Sequence, residues 1–203
     1  MPKKYLLLLL SFIAGISPLL LASAAQAHIG NHETGGFLLG LQHPIGGLDH
    51  VLAMLAVGLW AAQLGGRALW SLPLAFVGVM VFGGLLGMTG VTMPFVEQGI
   101  LISDLVLGAI VVAATRLPLA ISVSIVGALA IFHGYAHGAE MPKGASGLEY
   151  AAGFVCSTAL LHGIGLGSAL LVKKFLQDKF VQVAGAGVLV GGLVVAVRSL
   201  TGS

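Results

Sequence analysis

Seven histidines, at positions 28, 32, 43, 50, 133, 137 and 162, are the side chains of this sequence best suited to chemistry. Two groups stand out. In His43-Pro44-Ile45-Gly46-Gly47-Leu48-Asp49-His50, the two histidines are seven residues apart. On a continuous helix that is about two turns, so both would share a face. Asp49 lies beside His50, placed either to ligate directly or to orient an imidazole. In Phe132-His133-Gly134-Tyr135-Ala136-His137-Gly138-Ala139-Glu140, the residues His133, His137 and Glu140 follow i, i+4, i+7 spacing. Two imidazoles and a carboxylate therefore fall on one helical stripe. Should the two stripes face each other, the imidazoles of His43, His50, His133 and His137 converge with the carboxylates of Asp49 and Glu140. Such a mixed donor set suits nickel, cobalt or zinc, and the absence of clustered thiols argues against a copper(I) site. The single cysteine, Cys156, excludes a multi-cysteine zinc or iron–sulfur centre.

These residues need elements to hold them, and composition says what kind. Of 203 residues, 58% are hydrophobic and 8% are charged; the mean hydropathy is +1.06. A water-soluble domain carries about 25% charged residues, so this is an all-α integral membrane protein. With a net charge of only +2 there is no basic face for nucleic acid; the lipid bilayer is the expected partner surface. Residues 1–27 read as a cleavable signal peptide: Lys3 and Lys4 precede an apolar run from Leu6, and Ala25-Gln26-Ala27 is an A-x-A site. Residues 28–203 then form one membrane domain, a six-helix transmembrane bundle with spans near 44–64, 71–91, 98–115, 117–137, 148–172 and 180–198, each about 20 mostly apolar residues. Signal cleavage places the mature N-terminus outside a bacterial inner (cytoplasmic) membrane, and six spans return the C-terminus to the periplasmic side. The loops expected inside hold Arg67, Arg116, Lys173, Lys174 and Lys179, against Lys143 and Arg198 outside, as the positive-inside rule requires. Both histidine groups then lie at the outer end. Trp60 and Trp70 flank the first inside loop, where interfacial aromatics belong.

Other polar residues are candidates for the pathway. Glu97 and Asp104 are seven apart in the outer half of the third span, and His162 lies deep in the fifth. His28 and His32 precede the first span, where they could attract cations. Small-residue pairs recur at Gly36/Gly40, Gly83/Gly87, Gly134/Gly138, Gly163/Gly167 and Gly187/Gly191. They point to close helix packing within one bundle, and one such face would also serve a homo-oligomer.

With both motifs in view, the chain resembles the HupE/UreJ family of bacterial metal permeases. The family's His-x5-Asp-His motif reads here as His43, Asp49 and His50. Its Phe-His-Gly motif is matched, in the one-residue-shorter form, by Phe132 to Glu140. Glu97 looks like the family's third-span acid. The resemblance covers the whole mature chain. It implies a cleaved signal, six spans and secondary transport of nickel or cobalt into the cell, often to supply hydrogenase or urease; a link to cobalamin synthesis would also fit. The ion is then substrate rather than fixed cofactor, and the protein is not an enzyme. The residues by themselves also admit an intramembrane zinc-dependent hydrolase using the same His/Asp/Glu cluster, or a bis-histidine haem protein.

Overall fold

A computed structural model describes residues 36–201 except Lys143 and Ala145. The expected signal segment 1–27, together with His28 and His32, lies outside the described residues. Among those described, every regular element is a helix: α1 (Gly36–Gly46), α2 (Leu48–Leu64), α3 (Ala68–Met88), α4 (Val96–Val112), α5 (Leu119–Ala139), α6 (Gly147–Phe175) and α7 (Lys179–Thr201).

The first expected span is not one helix. It breaks at Gly47, whose backbone is extended (φ −105°, ψ 121°), and α1 meets α2 at 83°. The local chemistry explains the break. Pro44 has no N–H to continue the helix and its ring crowds the carbonyl four residues back, and Gly46-Gly47 adds two residues with low helix propensity. His43 and His50 therefore do not share a helical face. They sit on separate helices on either side of a bend.

Four helices, α3, α5, α6 and α7, are long and apolar enough to cross a membrane, or five spans if the bent pair α1–α2 counts as one. At 17 residues, α4 reaches about 26 Å, somewhat short of a hydrocarbon core of about 30 Å. The bundle is apolar outside as well as inside. Leu74, Leu85, Leu148, Leu171 and Val197 are all more than half exposed, as expected of a surface solvated by lipid.

The centre of the bundle is α2. Val51 to Leu52, Met54, Val57, Leu59 and Trp60 are buried around its whole circumference, and α3, α4, α6 and α7 all pack on it. A helix that is apolar on every side belongs in such a position. Small residues set the closest approaches around it. A Cβ on Gly134 or Gly138 of α5 would run into the backbone carbonyls of Met80 and Gly84 on α3; Gly83 and Gly87 lie as close to the α5 backbone in return. These two sequence pairs thus meet each other, and Gly36/Gly40 pack on α6. Gly163, Gly167 and Gly187 have no neighbour there for a Cβ to meet. The register makes α3 and α5 parallel, whereas Asp104, Gly108 and Val111 of α4 meet Gly192, Leu189 and Gly185 of α7 in reverse order.

Candidate metal site

At one end of the bundle α1, α2 and α5 bring their histidines together. The bend at Gly47 turns α1 so that the His43 ring meets the His137 ring edge-on, centroids 4.6 Å apart. The His50 ring reaches His137 from α2 at 4.3 Å and His133 at 4.9 Å. His43 Nε2 lies 3.3 Å from Glu140 Oε2. That contact holds the Glu140 carboxyl below the usual carboxylate range, so it is an anion at neutral pH. One ligand atom each from His43, His137 and Glu140 falls within 4.8 Å of the other two, a spacing a single ion can bridge.

Orientation of the rings follows from their partners. Asp49 Oδ1 accepts from the His50 ring Nδ1 at 2.8 Å and from the His50 backbone N–H at 2.8 Å. With the proton on Nδ1, the lone pair of His50 is on Nε2, which is buried and without a partner. Asp49 thus sits where a carboxylate orients a ligating imidazole. Gly47 makes room for the pair: a Cβ there would come within 2.7 Å of Asp49 Oδ1 and 2.9 Å of His50 Nδ1. His133 is fully buried. Its Nε2 lies 2.6 Å from Ser103 Oγ, and Ser103 gives its own proton to the Ile100 carbonyl at 2.6 Å. The serine oxygen therefore accepts from Nε2–H and leaves the lone pair on His133 Nδ1, again unpartnered. Both ring nitrogens of His137 are also buried, and among the described residues none of these nitrogens of His50, His133 and His137 has a partner. Buried polar atoms are normally satisfied, so this concentration of imidazole nitrogens without partners among the described residues makes the cluster a candidate cation site.

Of the residues singled out in the sequence, His43, His50, His133, His137, Asp49 and Glu140 gather here, though through the bend rather than along one helix. Glu97 does not join them: it is exposed in the first turn of α4, with no hydrogen bond or ion pair among the described residues. Asp104 is fully buried on the same helix; like Asp49, His50 and His133, it lies outside the trio of His43, His137 and Glu140 whose ligand atoms could share one ion. His162 lies deeper, on α6. Sequence reasoning missed Ser103, Gly47 and three aromatic neighbours. Phe154 packs on His137 with centroids 4.0 Å apart, Tyr150 on His43 at 5.8 Å, and Phe76 on His133 at 5.6 Å. Only Gly47, inside the first motif, had a signal that spacing could have revealed. Trp60 faces the bundle rather than its surface: it is fully buried and donates to the Thr115 carbonyl at 3.1 Å.

Residues 16–195 match the family model described as HupE / UreJ protein. Among curated relatives, Protein HupE of Rhizobium leguminosarum bv. viciae is 43% identical over 177 residues, covering 87% of this chain and 92% of the relative. No solved structure matches.

Proposed function

The chain belongs to the HupE / UreJ family, and from that premise we propose that it is a secondary transporter carrying nickel or cobalt ions across the bacterial inner membrane into the cell. The observation that carries this reading is the set of buried imidazole nitrogens, on His50, His133 and His137, that have no partner at the end of the bundle where His43 and Glu140 also stand. Neutral imidazoles with carboxylates suit both metals equally. A hydrated ion arriving at this end exchanges water first for Glu140, His43 and His137. His50, held in register by Asp49, is the next donor. The bend at Gly47 lies between the two motif histidines, and helices broken at the ion site are a recurring device of secondary transporters. The sequence holds no Walker-type phosphate loop, which fits transport without ATP hydrolysis by this chain.

The reading includes six spans, with α1–α2 as a broken first span and the short α4 as the third. The parallel run of α3 and α5, which α4 connects, supports a full return crossing by α4; the reversed register of α4 and α7 agrees with it. Arg67 and Arg116 lie in connections, Lys173 and Lys174 in the last turn of α6 and Lys179 at the start of α7, all at the end opposite the histidines. By the positive-inside rule that end is cytoplasmic, and the histidines, with both termini of the mature chain, are periplasmic. The family's association with nickel and cobalt uptake makes hydrogenase a fitting consumer of the ion.

The test is uptake of radiolabelled nickel and cobalt by cells lacking other importers. The wild-type gene should restore uptake, and His50→Ala and His137→Ala should each return it to background at unchanged membrane abundance. Full uptake by both variants would remove the reading.

A further inference from the structure

Below the histidine end, one imidazole remains that the site above does not use. His162 is 2% exposed, and neither of its ring nitrogens has a partner among the described residues. Its ring stands edge-on to Phe76, centroids 5.1 Å apart and planes at 86°. The other neighbour of that Phe76 ring is His133, at 5.6 Å. The imidazoles therefore form a file. His43, His137, His50 and His133 follow one another at centroid distances of 4.6, 4.3 and 4.9 Å. Phe76 interrupts the file, and His162 resumes it beyond the ring.

We propose that His162 is an inner ligand for the transported divalent cation, a second station separated from the histidine end by the Phe76 ring. The inference rests on the transporter reading and extends it along the path. Depth follows from register. On α3, Met80 lies one turn from Phe76; on α6, Thr158 lies one turn before His162. Thr158 Oγ1 donates to Met80 Sδ at 3.7 Å, so the pair Met80–Thr158 forms one layer and the pair Phe76–His162 the next. Gly134, one residue beyond His133 on α5, packs against the Met80 backbone, which puts His133 beside the first layer and His162 past it. Gly58 of α2 packs against the His162 backbone carbonyl. Nothing in this arrangement uses the imidazole for packing that a leucine would not do at lower cost, since both nitrogens are desolvated without return. An imidazole nitrogen with a hydroxyl and a thioether one turn away is a donor set that a borderline divalent ion accepts.

The experiment uses the full chain, purified in detergent, with Co2+ as probe. Cys156→Ser removes the only thiol, and His162→Cys is then added. A thiolate bound to Co2+ absorbs in the near ultraviolet, and a side chain that only packs cannot produce that band. The expected result is the band in the double variant and its absence in Cys156→Ser. Co2+ binding by both proteins with no band in either overturns the inner station and leaves the transporter reading intact. No Co2+ binding by Cys156→Ser removes both. His162→Asn, which keeps a polar side chain, checks function: loss of a group that merely orients a ligand already costs 10–100-fold, so uptake should fall at least about tenfold at equal membrane abundance. Wild-type uptake by His162→Asn also overturns the proposal.

Discussion

The two ends of the bundle treat their polar groups in opposite ways. At the histidine end, His50 Nε2, His133 Nδ1 and both nitrogens of His137 are buried with nothing to bond among the described residues. At the other end, four side chains each donate to a helix-terminal carbonyl or one just past it. Gln63 Nε2 reaches Val111 O at 2.9 Å, Gln182 Nε2 reaches Val112 O at 3.0 Å, Lys173 Nζ reaches Ala62 O at 3.0 Å, and Trp60 Nε1 reaches Thr115 O. Among the described residues, Gln63 Oε1 is the one buried side-chain atom left unpartnered there. Two of these bonds, to Ala62 and Val112, reach carbonyls in the last turns of α2 and α4, where the intrahelical ladder runs out of donors. One end thus spends its polar groups on holding helices together, and the other keeps them free at a cost in stability. Stability and ion binding should consequently respond to different substitutions.

The largest effect should come from the close approach of α3 and α5 beside the histidine end. On α5, Gly138 lies against the Gly84 backbone of α3, and an added side chain meets main chain rather than a movable group. Gly138→Val must push α3 and α5 apart, at a cost of about 3 kcal/mol or more. Its thermal midpoint in detergent and its abundance in membranes should both drop sharply. A midpoint equal to wild type would show that the two helices are not held by this approach.

A second substitution should separate binding from folding. Gly47 has an extended backbone that alanine also adopts, so the main chain is not strained. The added methyl would instead press on Asp49 Oδ1 and His50 Nδ1. Gly47→Ala should weaken Ni2+ binding to the purified protein roughly 10–100-fold, the usual cost of disturbing a group that orients a ligand. The thermal midpoint should barely change. Undiminished affinity would mean that the Asp49–His50 pair has no part in holding the ion.

How far the sequence disclosed this division depends on the kind of signal. Apolar runs of about 20 residues located α3, α5, α6 and α7 to within a few residues, because the need to pair backbone groups in lipid leaves helix as the only local solution. The residues that gather at the histidine end were legible for a related reason: ionisable residues are so rare here that those present point to function. The break at Gly47 was not, although Pro44 and Gly46-Gly47 are breakers, because hydropathy is blind to a bend that keeps its flanks apolar. The burial of Trp60 inside the bundle was not legible either. Its distance from Gly65-Gly66 in the chain suggested a flank, but α2 is surrounded on all sides and the indole is buried. Ser103 and Phe76 had no local signal at all, since their roles depend on which helices happen to face each other.

The smallest effect should come from the end without histidines. Lys173 Nζ donates to the Ala62 carbonyl near the C-terminus of α2, where a cation also meets the negative end of the helix dipole. Lys173→Met keeps most of the apolar stem and removes the charge and the donor. For a partly buried group open to solvent screening, that should cost about 1 kcal/mol. The thermal midpoint should fall by a few degrees. Ni2+ affinity should stay within about twofold of wild type, because sites that share no partners act nearly independently. A loss of Ni2+ binding larger than that of Gly47→Ala would mean the two ends are coupled in the resting state. The carbonyl-capped end would then belong to the ion site itself, with the helix termini moving whenever an imidazole is engaged.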